Sequence, residues 1–295
     1  MTTCNSDRPT AVIGGGTLGR RIALMMTLQG GEVRIYDKQE TTRGAAVDYV
    51  TREMPNAAKK FGGKVGRIVG VDALEKALDN CWIAIEAVPE ILDLKISIFG
   101  DIEKLAPNDA ILASNSSSYA SSMFINNVSA EGRKRVVNTH FYMPPNQNAV
   151  EVGSCGYTDT AIIELLMRAF PKYGVTPFLV RKESTGFIFN RVWAAIKREC
   201  LEVVATGVAT IEDVDGIFKV NIGGEHGPFQ LMDQVGLDVV YDIETHYARE
   251  NPNLPEAPRK LLKEYIDKGW LGIKAGRGFY NYGSSRIRVG NREVS

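Results

Sequence analysis

Residues 10–19 read Thr-Ala-Val-Ile-Gly-Gly-Gly-Thr-Leu-Gly, a short apolar run that ends in a glycine-rich loop. Gly14, Gly16 and Gly19 have the spacing G-x-G-x-x-G, which binds the pyrophosphate of a dinucleotide when it follows a strand and opens a helix. Both conditions are predicted, because the apolar run reads as a buried strand and the apolar residues of 18–26 recur at helical spacing.

Each glycine of this loop has a separate physical purpose. The first permits the tight turn, the second lets the backbone approach a phosphate, and the third lets the helix pack against the strand. The N–H groups at Thr17 and Leu18 then point at the phosphates. Asp37 ends a second predicted strand, where its carboxylate would bind an adenosine ribose and repel a 2′-phosphate. This predicts NAD, although Lys38 and Arg43 nearby leave NADP as an alternative.

Strand-like and helix-like segments alternate over about the first 180 residues. This alternation predicts a doubly wound, mostly parallel α/β sheet of Rossmann type. Two late strands are too close for a helical crossover, so we expect them to pair antiparallel at one edge. The predicted strands are Thr10–Ile13, Glu32–Asp37, Arg67–Val71, Trp82–Val88, Ala110–Ser114, Val136–Phe141, Ala149–Gly153 and Pro177–Val180.

The pattern changes near residues 182–186, after which helical periodicity dominates. We therefore expect a dinucleotide-binding domain at 1–183 and an all-α domain at 184–295. In the first domain, Pro55 is expected to interrupt the helix between the second and third strands. The predicted helices of the second domain are Phe187–Thr206, Ile211–Val220, Phe229–Tyr247 and Pro258–Gly269.

Composition excludes several classes of protein. The 295 residues contain 35 basic and 35 acidic side chains, so no net charge attracts nucleic acid or an anionic membrane. No apolar run is long enough to span a bilayer, and the polar N-terminus does not resemble a secretory signal. Four widely separated cysteines fit neither a zinc site nor a disulfide framework, so we expect no metal and a reduced, cytoplasmic protein.

Polar residues follow three of the predicted strands, at the edge of the sheet where α/β proteins bind ligands. Glu90, the Ser114–Ser117 cluster and His140 occupy these positions, and Glu151 follows His140 by 11 residues. Taken singly, the serines fit a turn with a helix cap, and His140 fits a packed side chain. Their convergence on one cofactor crevice favours a catalytic site. Of the three histidines, His226 is a weaker candidate for the general base.

These motifs together resemble the 3-hydroxyacyl-CoA dehydrogenase family over nearly the whole chain and in the same order. The resemblance implies a two-domain, NAD-dependent enzyme of fatty acid metabolism that interconverts 3-hydroxyacyl and 3-oxoacyl groups. It also implies a homodimer joined through the helical domain, which has more apolar positions than a small helical cluster buries alone. The motifs are Gly14–Gly19, Ile85-Glu-Ala-Val-Pro-Glu90, Ser114-Asn-Ser-Ser117, His140-Phe-Tyr-Met-Pro144, Gly186-Phe-Ile-Phe-Asn190-Arg, Gly227-Pro-Phe-Gln-Leu-Met-Asp233-Gln-Val-Gly236 and Gly276-Arg-Gly278-Phe-Tyr280.

The resemblance also implies roles for individual residues. His140 would be the general base, and Glu151 the carboxylate that orients it and stabilises its charged form. Ser117 and Asn190 would hydrogen-bond the reacting oxygen, while Glu90 and Lys95 would line the nicotinamide end of the cofactor site. The chemistry is consistent with these roles, because an imidazole can take the hydroxyl proton near neutral pH while a hydride leaves the same carbon.

Two departures from the family leave the substrate open. Met143 stands where the family usually has asparagine, and the stretch before Glu90 is shorter than in β-oxidation members, where it contacts coenzyme A. Lys60 is the one matching cation there, and Glu53 falls near the family's serine. An acyl-CoA substrate is therefore predicted first. The alternatives are a free 3-hydroxy acid, as in the L-gulonate 3-dehydrogenase and lambda-crystallin branch, a carbonyl or imine substrate of secondary metabolism, or a non-catalytic NAD-binding protein.

Overall fold

The computed structural model describes residues 7–283, and the chain divides into two compact units after Ile188. Sequence periodicity places this division slightly earlier, at residue 183. The first unit carries the sheet and the second is built from helices. No helix among the described residues has the length and apolarity that a bilayer crossing requires.

An eight-stranded sheet organises the first unit, with the strand order β3-β2-β1-β4-β5-β6-β7-β8. Neighbouring strands are parallel except β6 and β7, which pair antiparallel as expected. These two do not form the edge, however, because β8 pairs in parallel with β7 and covers it. The strands are β1 (Thr10–Ile13), β2 (Glu32–Tyr36), β3 (Arg67–Val71), β4 (Ile83–Glu86), β5 (Ile111–Ser114), β6 (Val136–Met143), β7 (Gln147–Ser154) and β8 (Thr176–Val180).

The central strands are buried on both faces, which explains why they read as apolar runs without alternation. In β1, Val12 belongs to one hydrophobic cluster, whereas Ala11 and Ile13 belong to the other. Helices therefore cover both faces of the sheet. The first-unit helices are α1 (Thr17–Met26), α2 (Glu40–Phe61), α3 (Leu74–Leu78), α4 (Leu92–Leu105), α5 (Ala130–Arg133) and α6 (Thr160–Ala169).

The interruption expected at Pro55 is wrong, because α2 is continuous through this residue. Pro55 is exposed, whereas Val50, Met54 and Ala58 on the other face are buried in the core. A proline costs a helix one hydrogen bond and a steric clash. The burial of that apolar face offsets this cost, so tertiary packing overrides the local preference.

Helices make up the regular structure of the second unit: α7 (Phe189–Ala205), α8 (Ile211–Ile222), α9 (Pro228–Val235), α10 (Leu237–Glu250) and α11 (Ala257–Ile266). The single helix expected over Phe229–Tyr247 is wrong. It is divided at Gly236, whose φ of 104° no helix accommodates. The division lets Leu237 join Phe229 and Met232 in one buried core.

Candidate active site

The glycine-rich loop connects β1 to α1 as predicted. A Cβ atom on Gly14 would lie 2.5 Å from the carbonyl oxygen of Ala87, and one on Gly19 would lie 1.9 Å from that of Gly14. These two glycines therefore serve close backbone packing. Gly16 has no atom within 4 Å of the same position, and no side chain caps the N-terminus of α1. The loop thus leaves open space beside a helix N-terminus, which fits a dinucleotide pyrophosphate.

Asp37 follows the last residue of β2 at the rim of this loop. Its Oδ2 accepts a hydrogen bond from the N–H of Gly15 at 2.8 Å, and its Oδ1 accepts one from the N–H of Gln39 at 2.9 Å. The carboxylate is therefore held beside the glycine loop, where it fits the adenosine ribose of NAD. The guanidinium of Arg43, a possible partner for a 2′-phosphate, donates instead to the backbone oxygen of Asp37 at 2.9 Å.

A cavity of about 350 Å³ opens beyond the carboxyl ends of β4, β5 and β6. It brings together five residues that the sequence assigned to the site, namely Leu18, Glu90, Lys95, Ser117 and His140. The remaining lining residues are Ala87, Val88, Pro89, Asn115, Phe141, Tyr142, Met143 and Gln147. This is the position at which open α/β sheets bind their ligands.

His140 and Glu151 are paired across β6 and β7, directly opposite each other in the antiparallel register. His140 Nδ1 lies 2.9 Å from Glu151 Oε2, and both residues are buried. The other carboxylate oxygen, Oε1, accepts the N–H of Ile188 at 2.8 Å. The carboxylate therefore determines the orientation of the imidazole, and Nε2 is the ring nitrogen left for proton exchange with a substrate. The rings of Tyr142 and Phe187 pack beside the imidazole.

Glu90 and Lys95 lie together in the cavity wall, with 3.3 Å between Lys95 Nζ and Glu90 Oε2. Glu90 also accepts hydrogen bonds from the hydroxyl of Ser116 and from the N–H of Ser117 at 2.8 Å. These contacts join the loops that follow β4 and β5. The hydroxyl of Ser117 therefore has a defined place in the cavity, near the charged pair.

Sequence reasoning missed Glu86, the last residue of β4. This carboxylate is fully buried and pairs with Lys95 at 2.8 Å between Oε1 and Nζ. An acidic residue at the end of an apolar strand, with a lysine nine residues later, was the available signal. Strand patterning alone does not distinguish such a residue from a solvated one.

Two further predicted site residues stand on helices. Asn190 is in the first turn of α7 and belongs to the second unit. Lys60, near the end of α2, donates from Nζ to the backbone oxygen of Pro145 at 3.2 Å and is absent from the cavity lining. Met143, the residue that departs from the family, lines the cavity with 40% of its surface exposed. The asparagine amide expected from the resemblance is thus replaced by an apolar side chain.

Two family models match the chain in succession. The model for the 3-hydroxyacyl-CoA dehydrogenase NAD-binding domain matches residues 9–184, and the model for the C-terminal domain matches residues 186–282. The chain belongs to the 3-hydroxyacyl-CoA dehydrogenase family. The matched first domain is an NAD-binding domain, so NAD is the cofactor of this chain. The resemblance read from the sequence is confirmed.

Similar proteins extend this assignment. The chain is 44% identical over 151 residues to the 3-hydroxyacyl-CoA dehydrogenase-like protein LAM1 of Cochliobolus heterostrophus, a match that spans 50% of this chain and 32% of that protein. It is 32% identical to a probable 3-hydroxybutyryl-CoA dehydrogenase of Bacillus subtilis, over 92% of this chain and 96% of the relative.

Solved structures share the fold over nearly the whole chain. The (S)-3-hydroxybutyryl-CoA dehydrogenase of Ralstonia eutropha has a TM-score of 0.82 at 27% identity, covering 94% of this chain and 100% of that one. A diketoreductase described as acting on dicarbonyl compounds has a TM-score of 0.77 at 30% identity, covering 96% and 100%. Solved structures similar to this chain thus differ in the compounds that their names state.

Proposed function

We propose that the protein interconverts a 3-hydroxyacyl and a 3-oxoacyl thioester with NAD, His140 acting as the general acid and base. The observation that carries this proposal is the buried His140–Glu151 pair, at 2.9 Å, in a cavity shared with Ser117. The acyl-CoA substrate is supported by the family and by the names of its relatives. A role in fatty acid metabolism follows from that substrate class.

In the oxidative direction, Nε2 of His140 takes the proton of the 3-hydroxyl group. Bound NAD accepts the hydride that leaves the same carbon. Glu151 stabilises the imidazolium that forms and keeps the ring in one orientation. In the reductive direction, His140 returns this proton to the oxygen. Ser117 and, by the family resemblance, Asn190 donate hydrogen bonds to that oxygen while negative charge builds on it.

The direct test is oxidation of NADH by acetoacetyl-CoA, followed at 340 nm with the purified protein. Steady turnover that depends on both substrates is expected, and a His140→Ala preparation that still binds NADH serves as the control. A protein that binds NADH but turns over no 3-oxo or 3-hydroxy compound would be a non-catalytic NAD-binding protein, and the proposal would be wrong.

A second candidate is reduction of a 3-oxo compound that carries no coenzyme A. Two observations favour it: Met143 makes the cavity wall less polar, and the Lys60 ammonium is engaged by the carbonyl of Pro145. A structural neighbour is a diketoreductase. Turnover of a dicarbonyl compound without coenzyme A, or of a free 3-hydroxy acid, with none of acetoacetyl-CoA, would replace the thioester assignment by this one.

We also propose a homodimer formed through the second unit. A groove of about 810 Å³ is lined by α7 and α8, and it includes Cys200, Val203 and Ile217. Two apolar side chains that line the groove are highly exposed, Ile217 at 66% and Ile222 at 71%. A second copy of the same face is the proposed occupant, because a self-complementary apolar patch buries itself in a two-fold dimer.

A cytoplasmic location remains our proposal as well. Cys81, Cys155 and Cys200 are unpaired in the described residues, which suits a reducing compartment. Microscopy of the chain fused to a fluorescent protein, at each end in turn, would test it. Fluorescence confined to an organelle in both fusions would contradict the proposal.

A further inference from the structure

Glu86 is a buried carboxylate that the proposed reaction does not use. It ends β4, in the centre of the sheet, and its side chain is fully shielded from solvent. Lys95 and Glu90, which line the cavity, lie on the side of Glu86 that faces the site. An ionised carboxylate at such a place is costly unless its charge is compensated, so its contacts indicate its purpose.

Two of the residues that donate to this carboxylate, Val88 and Lys95, line the cavity. Oε1 accepts hydrogen bonds from the N–H of Val88 and from Lys95 Nζ, both at 2.8 Å. Oε2 accepts one from the hydroxyl of Ser114 at 2.7 Å. Lys95 is itself only 1% exposed, and Glu86 is the nearer of the two carboxylates that pair with its ammonium.

The network continues from Glu86 to the residues that face the substrate. Lys95 Nζ also reaches Glu90 Oε2 at 3.3 Å. Ser114 Oγ accepts the N–H of Ser116 at 3.1 Å, and Ser116 in turn donates its hydroxyl to Glu90. Two independent routes therefore connect Glu86 to Glu90, one through an ammonium and one through two serines.

The three charged groups do not cancel. By formal charge, Glu86 and Glu90 are each negative and Lys95 is positive, so the cluster has a formal net charge of minus one. A proton and a hydride leave the same carbon–oxygen unit in the proposed reaction, so the nicotinamide ring must bind in the cavity that contains His140. That ring is positively charged in NAD⁺ and neutral in NADH. The cluster therefore stabilises the oxidised cofactor more than the reduced one.

We propose that Glu86 is a positioning residue that holds Lys95 and Glu90 in the cavity wall and, through the net charge of the cluster, sets the ratio of affinities for NAD⁺ and NADH. This inference rests on the proposed function only in placing the nicotinamide ring beside His140. The measured quantity is Kd for NAD⁺ divided by Kd for NADH, obtained by calorimetry without any substrate.

Three variants change the cluster charge in a known order. Glu86→Gln brings it to zero, and the ratio is expected to rise by about threefold or more, because NAD⁺ loses a favourable charge. Lys95→Met brings it to two negative charges, and the ratio is expected to fall by about the same factor. The double variant carries one negative charge again, so its ratio is expected to return to within about twofold of the original, even if both cofactors bind more weakly.

Glu103→Gln is the matched control. Glu103 lies on the same helix as Lys95, binds the backbone and hydroxyl of Ser129, and lies outside the cavity lining. The substitution removes the same charge from the same unit. The dissociation constants for NAD⁺ and NADH should both stay within about twofold of those of the original protein.

A merely structural role for Glu86 predicts a different result. Glu86→Gln would then weaken both cofactors equally, whatever its effect on the melting temperature, and the ratio would not move in opposite directions in the two single variants. That result overturns the proposal. If Glu86→Gln does not fold, comparison of Lys95→Met with the double variant still isolates residue 86. Failure of the original protein to bind NADH would instead contradict the proposed function.

Discussion

His140 and Glu151 occupy directly opposed positions in the one antiparallel pair of the described sheet, and this register places their side chains 2.9 Å apart. The same carboxylate binds the N–H of Ile188, the last residue of the first unit. Glu151 therefore has no freedom to turn away from the imidazole. In the proposed reaction, a carboxylate held in this way would act through the histidine and not on the substrate.

Replacing His140 by alanine is expected to lower kcat by roughly 10²–10⁴, the usual contribution of a positioned acid–base group, and to leave the Kd for NADH nearly unchanged. Glu151→Gln should lower kcat in the same direction, because the imidazolium loses its charged partner. Steady-state rates and NADH titration measure both effects. If the His140→Ala variant kept the kcat of the original protein, another residue would have to be the base, and His226 would be the next candidate.

Cofactor choice is expected to depend on Asp37. Like charge against a 2′-phosphate should give NAD an advantage of roughly tenfold or more in kcat/KM over NADP. Asp37→Ala should reduce this advantage, whereas Asp48→Ala, which removes an exposed charge from α2, should not. Equal kinetics with the two cofactors in the original protein would contradict the prediction.

Lys60 tests the thioester assignment. If it contacts a phosphate of coenzyme A, Lys60→Ala should raise the KM for acetoacetyl-CoA several-fold with little change in kcat, since a remote contact contributes uniform binding. The KM should also rise with salt. Lys59→Ala removes the adjacent exposed charge as a control. A lower kcat at unchanged KM would instead indicate that Lys60 acts through the carbonyl of Pro145.

Lys197 predicts a pH dependence of stability. Burial lowers the pKa of this side chain in α7 to about 8, from a normal value of 10.5. Below pH 8 the Lys197 side chain is protonated in both the folded and the unfolded protein, and the folded protein carries the full cost of a buried charge. Between pH 8 and 10.5 the unfolded state binds more protons, so this cost declines as pH rises.

Lys197→Met should therefore increase the free energy of unfolding at pH 7 by up to about 3 kcal/mol, and by less at pH 9.5. Urea denaturation at the two pH values measures the difference. Lys260→Met, on the exposed surface of α11, should show the same small effect at both. A gain from Lys197→Met that does not shrink with rising pH would show that the ammonium is compensated in the folded state.

The proposed dimer predicts a simple change in mass. Light scattering at micromolar concentration should give twice the chain mass, and Ile217→Asp should give the monomer, because a charge would be buried in the apolar interface. Lys260→Met again serves as the control. A monomeric original protein would refute the interface.

The sequence could predict the elements whose cause is local. The glycine spacing, the apolar strands and Asp37 each depend on short-range backbone requirements, so the loop, the sheet and the cofactor followed from them. Local rules failed where packing competed with them. Pro55 stays within α2 because the opposite face of that helix is buried. Gly236 separates α9 from α10, and this break lets Leu237 pack in the same core as Phe229 and Met232.

The sequence by itself determined the family, the cofactor and the residue types of the site. Each of these depends on motifs that require particular residue types at a fixed spacing. The tertiary structure alone decided which of those residues meet. Strand register brought Glu151 to His140 across 11 residues. The parallel ends of β4 and β5 brought Glu86 to Ser114, and the first turn of α4 added Lys95 to the same buried network. The burial that makes Glu86 significant is a property of the packed sheet, and no spacing in the chain encodes it.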